Sequence, residues 1–418
     1  MAKGFVEKLR TNTKFNKALD IFLIVSLALY VFSIPSFSAR AKLNIISYAF
    51  MALSAGLVVI KYVLYEKFVF DKRLLILLVF AIEAFIGTAM YSHDFRHWLT
   101  IVLLFLTLVV FYYAFNAINN KRLIYILIAF PLLAFSIYFA LHYRSDIFKF
   151  NLEDPLGSYF DNVNTVGTYF SLGTILFLYL ALTSKRKVEW LYLIPCAVML
   201  FFGLFTGSRH FIITTGVAFI VAIILHFKKR KWVALLIIVA SIGLFFAIIQ
   251  LPFLAVLKER INRGITTFFG VGNAKYDPSV VQRTIWPQYG FNIGSKVLLF
   301  GYGAEGFSIY SAIGTYSHNT YSELVCNFGI IGAIIFYLAL VYPLILAIKK
   351  RDRSLNIVII LISFYLVKGF FGVYFSSKDA YMIIALCFYL TKYIKLGVYK
   401  SFAPKREVRR VTFCEVSI

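Results

Sequence analysis

Three residues in the second half of the chain have side chains suited to handling an anionic substrate. Arg209 lies in the short connection Thr206-Gly-Ser-Arg209 between two apolar runs, where a guanidinium has little access to water and is costly unless an anion binds it. Arg283 lies in a long connection, and His318 stands just before the next apolar run. Two arginines can clamp a phosphate or pyrophosphate, and a neutral histidine can accept a proton from a hydroxyl.

Simpler roles for these residues stay open at this point. An isolated arginine in a loop is commonly solvated or contacts lipid headgroups. A histidine that precedes a helix often only caps it or lies on the surface. The Cys, His, Asp and Glu residues show no paired metal-ligand spacing, so no metal site is expected.

The composition places these residues in a membrane protein. Hydrophobic types make up 61% of the 418 residues and charged types only 15%, which excludes an ordinary soluble domain. Twelve apolar runs approach or exceed the roughly 20 residues that cross a bilayer, and such runs must be helical. The sequence therefore predicts an all-α polytopic membrane protein with about 12 transmembrane helices, forming one integral membrane domain over 1–418. The runs are 18–37, 43–60, 74–92, 98–117, 123–142, 163–183, 188–206, 210–227, 232–253, 319–348, 355–375 and 379–398.

The basic residues predict the orientation of these helices. Of the 43 Lys and Arg residues, 29 fall at the termini and in alternate connections, and 13 fall in the other connections. Because the cytoplasmic side collects Lys and Arg, both termini are expected in the cytoplasm, with 399–418 as a basic tail. The net charge of +24 is then mostly a topology signal, and nucleic acid is not an expected partner.

One connection is much longer than the others. Residues 254–317 separate the ninth and tenth predicted helices and are expected on the extracytoplasmic side. Loops beyond about 15 residues are uncommon unless they are functional or disordered, and this one is rich in aromatic residues. It is therefore expected to fold against the membrane face and to form part of the active site. Apolar and basic residues mix over 255–269, which is typical of an interfacial helix.

The same loop contains a glycine pattern. Gly301-Tyr-Gly303-Ala-Glu-Gly306 matches G-x-G-x-x-G, and Glu323 follows at about the distance of a ribose-binding acid. A dinucleotide site also needs a βαβ unit, which does not fit before the next apolar run. The glycines are therefore expected to allow tight turns near a ligand or between helices, and no cofactor is expected.

The order of these motifs resembles the O-antigen ligase and polymerase superfamily. The resemblance rests on Thr206-Gly-Ser-Arg209 at a helix start, on Arg283 followed by LLFGYGAEGF, and on Ser317-His318-Asn319 with Gly329-Ile-Ile-Gly332 further along the same helix. The many helices and the one large late loop are similar as well. The motifs cover about 200–348, and the topology covers the whole chain.

The resemblance implies a metal-independent, inverting glycosyltransferase with a GT-C-like fold that acts on polyprenyl-pyrophosphate-linked glycans. It assigns the donor pyrophosphate to Arg209 and Arg283 and makes His318 the base that activates the acceptor hydroxyl. Arg260 and Arg263 lie in the same loop and are alternatives to Arg283 for this role. Supporting roles are expected for Ser208, Asn319, Tyr302 and Glu323.

The acceptor separates two activities within this superfamily. A polymerase transfers the glycan to another lipid-linked repeat unit, and a ligase transfers it to a lipid A-core or other acceptor. The chain is rich in Phe, Ile, Tyr and Lys, a bias of AT-rich genomes that weakly favours a Gram-positive source without lipid A. A polymerase is therefore the favoured interpretation, with a ligase as the alternative and transfer to protein as a smaller one.

A lipid-linked oligosaccharide flippase or a membrane scaffold stays open as a different class. Transporters often show internal repeats and charges near the midplane, whereas no repeat is apparent here. Glu83 and Lys368 are the ionisable residues well inside the apolar runs, where they can pair or serve packing. The expected location is the bacterial cytoplasmic membrane. The expected partners are the lipid-linked oligosaccharide, membrane lipids, a chain-length regulator and a flippase.

Overall fold

The computed structural model describes residues 11–37, 41–143, 163–184, 186–270 and 277–392. Its regular elements are helices, and no strand occurs in these ranges, which confirms the predicted all-α fold. The predicted basic tail 399–418 lies outside the described residues. The helices are α1 (Thr13–Phe37), α2 (Ala41–Leu64), α3 (Leu74–Gly87), α4 (Phe95–Ile118), α5 (Lys121–His142), α6 (Val163–Leu182), α7 (Leu193–Phe205), α8 (Arg209–His226), α9 (Lys231–Ile248), α10 (Ala255–Phe269), α11 (Pro278–Gly294), α12 (Gly306–Tyr310), α13 (Thr320–Lys350), α14 (Asn356–Lys368) and α15 (Lys378–Thr391).

Ten helical segments in the described ranges are long and apolar enough to cross a membrane, so the chain is a multi-pass membrane protein. They comprise α1 to α9, where α3 continues through a π-helical turn and α7 is preceded by a 3₁₀ turn, together with α13. They correspond to the first ten predicted runs. The eleventh run differs, because α14 has only 13 residues, whereas the twelfth run extends beyond residue 392, outside the described residues.

The eleventh run is shorter than predicted because the chain folds back at Gly369. Helix α14 ends at Lys368 instead of continuing to 375. The Gly369 carbonyl accepts a hydrogen bond from the Thr320 main chain at 2.8 Å, and the Thr320 hydroxyl donates to the Gly372 carbonyl at 2.7 Å. The connection between α14 and α15 therefore lies against the start of α13.

The helices pack into a bundle with an aromatic core. Helix α8 packs against α6 and α14, α4 packs against α15, and α3 packs against α13. Phe111, Phe115 and Phe170 are fully buried between these helices. Close packing of this kind is the main force between helices in lipid, where burial from water contributes little.

The long connection between α9 and α13 is itself largely helical. The predicted interfacial helix is confirmed as a helix with the same bounds, Ala255–Phe269. Helix α11 lies along α13 and approaches it closely at two glycines. A Cβ at Gly290 would lie 3.0 Å from the Ser322 Cβ, and one at Gly294 would lie 3.0 Å from the Cys326 Cα. These glycines let the two backbones approach as small residues do between membrane helices.

The G-x-G-x-x-G pattern forms a tight turn that is hydrogen bonded to α13. At Gly329 the backbone of α13 leaves helical geometry, with φ of 61° and ψ of −171°. The Ile330 N–H donates to the Leu298 carbonyl at 2.8 Å, and the Gly303 N–H donates to the Asn327 carbonyl at 2.6 Å. The prediction that these glycines allow turns between helices is thus confirmed, and the main-chain groups freed by the break find partners.

Candidate active site

A cavity of 410 Å³ lies between α2, α4, α6, α8, the start of α13 and the connection from α14 to α15. We call its side with Tyr316, His318 and Glu323 the base wall. We call a second group of lining residues the lysine wall, and it consists of His210, Lys368, Lys378 and Asp379. Within the described ranges, no three His, Cys, Asp or Glu residues are grouped as metal ligands would be.

Arg209 begins α8 beside this cavity and reaches toward α11. The Ser208 hydroxyl caps the helix by accepting the Phe211 N–H at 3.2 Å, so Ser208 supports Arg209 through the local backbone. The guanidinium donates to the Asp277 carboxylate at 2.8 Å and to the Ser279 hydroxyl at 2.5 Å. The confined arginine therefore already has a carboxylate partner. Sequence reasoning did not identify Asp277, although the Asp-Pro-Ser order is a recognisable helix start.

Arg209 belongs to a group of four arginines that we call the arginine cluster. Burial lowers the pKa of the Arg283 guanidinium, and the positive charge of Arg209 lowers it further. The pKa of Arg260 is lowered by burial and by the charges of Arg209 and Arg263. Such mutual repulsion would be relieved by a bound anion. The members are Arg209, Arg260, Arg263 and Arg283.

The arginine cluster lies beside the cavity, because none of its side chains is part of the cavity lining. Two carboxylates, Glu259 and Asp277, lie among the four guanidiniums. Arg263 is 3.5 Å from the Glu259 carboxylate, and Arg283 donates to the Ser279 carbonyl at 2.8 Å. Two positive charges therefore remain in excess, which matches the charge of a pyrophosphate diester. Arg260 thus joins Arg283 as a candidate anion ligand.

His318 lies between two aromatic rings at the base wall. Its imidazole stacks on Trp286 with ring centroids 5.2 Å apart, and it meets the Tyr316 ring at 4.3 Å. Burial, together with the charge of Arg283, lowers the pKa of His318 to about 4. The ring is therefore neutral at pH 7, and it makes no hydrogen bond with the described residues. Neutral, unengaged nitrogens are what a proton acceptor requires.

The capping role at this helix start belongs to a different residue. The Asn319 side chain accepts the Ser322 N–H at 3.0 Å, so Asn319 is the N-cap of α13. His318 itself adopts a left-handed backbone conformation with φ of 58°. A non-glycine residue rarely adopts this conformation, and such residues often occur at functional sites. The simple capping interpretation of His318 is therefore not supported by its geometry.

Glu323 holds Ser317, the residue before His318, by hydrogen bonds. One carboxylate oxygen accepts the Ser317 N–H at 2.6 Å and the Ser317 hydroxyl at 2.8 Å. The Glu323 side chain is only 6% exposed and lines the cavity one turn into α13. It is placed to position the backbone that carries His318, as a supporting residue would be.

Tyr302 is not brought to the cavity. Its ring stacks on Tyr310 with centroids 4.0 Å apart and meets Tyr91 edge-on at 5.6 Å. None of these three tyrosines is among the residues that line the cavity. The structure therefore places this supporting candidate in an aromatic group outside the cavity.

The two ionisable residues predicted inside apolar runs do not meet. Lys368 forms an ion pair with Asp379 at 3.1 Å, and the Tyr365 hydroxyl donates to the same carboxylate oxygen at 2.6 Å. Glu83 lies against Gly332 of α13, and its oxygens make no hydrogen bond with the described residues. Sequence reasoning missed the cavity role of 369–379, because it assigned 369–375 to the apolar run 355–375 and the next three residues to a short connection.

The fold and the site together define a multi-pass membrane protein with a polar cavity next to an arginine cluster. Residues 194–337 match the family model described as O-antigen ligase. This stretch runs from α7 into α13 and includes Arg209, Arg283 and His318. The match confirms the resemblance to the O-antigen ligase and polymerase superfamily, and it supports a glycosyltransferase-like enzyme of this general type. No curated protein matches the chain.

Proposed function

We propose that the protein is a polysaccharide polymerase that makes O-antigen, capsule or exopolysaccharide chains. The donor is a glycan linked to a polyprenyl pyrophosphate, and the acceptor is a sugar hydroxyl of another lipid-linked repeat unit. One observation carries the proposal: His318 lines the cavity and stacks on Trp286 of α11, the helix that also carries Arg283 of the arginine cluster. A proton acceptor and an anion site thus adjoin each other.

The proposed reaction is an inverting displacement. The acceptor hydroxyl oxygen forms a bond to the anomeric carbon of the donor while the bond from that carbon to the pyrophosphate oxygen breaks. His318 takes the hydroxyl proton, and the pyrophosphate leaves with the electron pair of the broken bond. Stabilising the leaving group is then a task for positive charge, which preorganised guanidiniums can supply without a metal or another cofactor.

Asp277 is the carboxylate that pairs with Arg209 of the arginine cluster when no donor is bound. In the proposed cycle the pyrophosphate replaces the Asp277 carboxylate on Arg209, because a doubly charged group with several oxygens can engage the planar guanidinium of Arg209 and a second arginine together. The carboxylate would then return when the lipid pyrophosphate leaves. Arg283 and Arg260 are the candidates for that second arginine.

The proposed orientation puts the chemistry outside the cytoplasm. Both termini would lie in the cytoplasm of a bacterium, and 254–317 would face the extracytoplasmic side of the cytoplasmic membrane. We expect an epitope tag at either terminus of the protein in intact cells or spheroplasts to be protected from protease. A tag placed at Gly270 should be cleaved or labelled. An exposed C-terminal tag would contradict this orientation.

The direct test uses purified full-length protein in lipid nanodiscs with a lipid-linked repeat unit as both donor and acceptor. A ladder of products on a gel is the expected result, and His318→Ala protein is the matched control. The same reaction with a chelator should proceed at an unchanged rate if the arginines suffice. Absence of any transfer by folded wild-type protein, tested with several repeat units, would contradict the proposed function.

A ligase is the second candidate, because the matching family model carries the description O-antigen ligase. The chemistry at the donor would be the same, and only the acceptor would differ. Adding a lipid A-core acceptor to the assay separates the two activities. A single transfer to that acceptor without a ladder would indicate a ligase.

A further inference from the structure

The lysine wall has a positive charge that the proposed transfer does not use. Lys368 is neutralised by Asp379 at 3.1 Å. Lys378 also lines the cavity, yet it forms no ion pair or hydrogen bond with the described residues. Its ammonium lies over the Tyr48 ring, 4.3 Å from the centroid. Two lysines and one aspartate leave this wall with one net positive charge, and the carboxylates Glu305 and Glu323 line other parts of the same cavity.

The same place is the beginning of a helix. Lys378 is the first residue of α15, and the Ser377 side chain does not cap this helix, because its hydroxyl donates to the Tyr374 carbonyl at 2.8 Å. The main-chain N–H groups of Lys378 and Asp379 have no partner among the described residues. A helix start attracts anions, so a lysine there adds to an existing positive potential.

His210 gives an independent sign that the lysine wall takes a ligand. It is 5% exposed and lines the same cavity, and apart from a contact with the Phe371 main chain that is too poorly aligned to be a hydrogen bond, neither ring nitrogen has a hydrogen-bonding partner among the described residues. A buried polar group without a partner is costly, so such a group commonly serves a ligand. A neutral imidazole has one donor and one acceptor, and this pair matches a sugar hydroxyl.

We propose that the lysine wall is a subsite for an acidic sugar of the acceptor glycan. Lys378 and the start of α15 bind the carboxylate of a uronic acid residue, and His210 binds a hydroxyl of the same sugar. The single net charge of this wall suits one carboxylate, whereas the two excess charges of the arginine cluster suit a pyrophosphate. The inference rests on the proposed function and narrows it to acceptors that carry an anionic sugar.

The test compares two trisaccharide probes that differ only in the terminal sugar, glucuronic acid in one and glucose in the other. Binding is measured by calorimetry with full-length His318→Ala protein in nanodiscs, so that no transfer occurs. We expect the acidic probe to bind about tenfold tighter, a typical effect of one charge-assisted contact. Adding Lys378→Gln should remove this preference and leave the affinity for the neutral probe unchanged. Lys296→Gln removes an exposed lysine outside the cavity and should keep the preference.

Several results would overturn the subsite. These are equal affinity for the two probes, binding of neither probe, and an equal loss of both affinities in Lys378→Gln. A further contrary result is that inorganic pyrophosphate displaces the acidic probe from the protein that keeps Lys378 but not from the Lys378→Gln protein. That result would indicate a second phosphate site and would also contradict the proposal. His210→Phe should weaken both probes, since both carry the hydroxyl.

Failure of the subsite and failure of the proposed function are separable. If the acidic probe binds as expected but wild-type protein forms no glycosidic bonds, the glycan subsite stands and the transferase proposal fails. If a product ladder forms while both probes bind alike, the transferase proposal stands and the acidic-sugar subsite is wrong.

Discussion

The base wall and the lysine wall line one cavity, but the charged residues of the lysine wall belong to a different stretch of the chain from the base wall. His318 and the arginines beside it lie within 194–337, the stretch that matches the O-antigen ligase family model. Lys368, Lys378 and Asp379 lie beyond that stretch. If the proposals hold, the base and the pyrophosphate site come from the matched stretch, whereas the charged residues that select the acceptor lie beyond it. Substitutions in one wall should then leave the function of the other largely intact.

The largest expected effect is at the base wall. His318→Ala should lower turnover by about 10²- to 10⁴-fold, the usual contribution of a general base. Donor binding and the preference for an acidic probe should stay close to wild type, because neither depends on the imidazole. Single-turnover rates and binding isotherms on the same preparation measure both properties.

Asn319→Ala is the matched control for His318→Ala. Loss of this N-cap should cost about 1 kcal/mol of stability and leave most of the activity. If Asn319→Ala were as inactive as His318→Ala while still folded, or if His318→Ala kept more than about a tenth of wild-type turnover, the base assignment would be wrong.

The next effect concerns the arginine cluster. Arg209→Lys keeps the charge but loses the planar fork, so we expect turnover to fall by about 10- to 100-fold at unchanged protein level. Arg283→Ala should weaken donor use similarly. Titrating the donor at a saturating acceptor concentration checks both variants. Wild-type rates for both would refute the pyrophosphate clamp, and a lost acceptor preference would show that the arginine cluster and the lysine wall are not independent.

The pH dependence of turnover tests whether the charge of Arg283 lowers the pKa of His318. The pKa of His318 is lowered to about 4 by burial and by the Arg283 charge, so the base is neutral above that value and protonated below it. Turnover should therefore be level from neutral pH down to about 5 and fall as the pH passes through about 4. In Arg283→Gln the fall should begin at a higher pH, because the repelling charge is gone. If turnover of folded Arg283→Gln protein fell at the same pH as that of the wild type, the charge of Arg283 would not influence the pKa of His318.

The smallest expected effect follows from Asp277→Asn. Asparagine still caps α11, and the partly exposed ion pair with Arg209 contributes about 1 kcal/mol or less. The donor KM should fall by about two- to fivefold, because the carboxylate no longer competes with the pyrophosphate. A rise in donor KM like that of Arg209→Lys would show that Asp277 instead holds Arg209 in its working position.

The sequence predicted most of the helices because the information is local. Apolar runs long enough to cross a membrane identified ten spans, and the mixed apolar and basic pattern of 255–269 matched α10 at both ends. The fold-back after Lys368 was not predictable in this way. It depends on hydrogen bonds between Gly369 or Gly372 and Thr320, about 50 residues earlier, within a stretch whose composition continues an apolar run.

The sequence identified candidate residues of the site, but it did not identify the residues that they contact. Arg209 and His318 stood out by confinement and position, and both lie at or beside the cavity. Their partners depend on tertiary structure. The Arg209 guanidinium meets Asp277, which is 68 residues away, and the order Ser-His-Asn cannot reveal that Asn319 rather than His318 caps the helix. Lys378 looks like an ordinary helix flank until the bundle places it in the cavity.

The close seam between α11 and α13 has a mechanical consequence. Gly290 and Gly294 bring the two backbones together, and the turn after α11 is fastened to the break at Gly329 by main-chain hydrogen bonds. Arg283, on the first helix, and His318, at the start of the second, thus belong to one rigid body. Exchange of bulky lipid-linked substrates requires the cavity to open along its other boundaries. We expect the hinge on the side of Arg209 and α10, where side-chain contacts such as those of Arg209 with Asp277 and Ser279, rather than a backbone seam, join the helices.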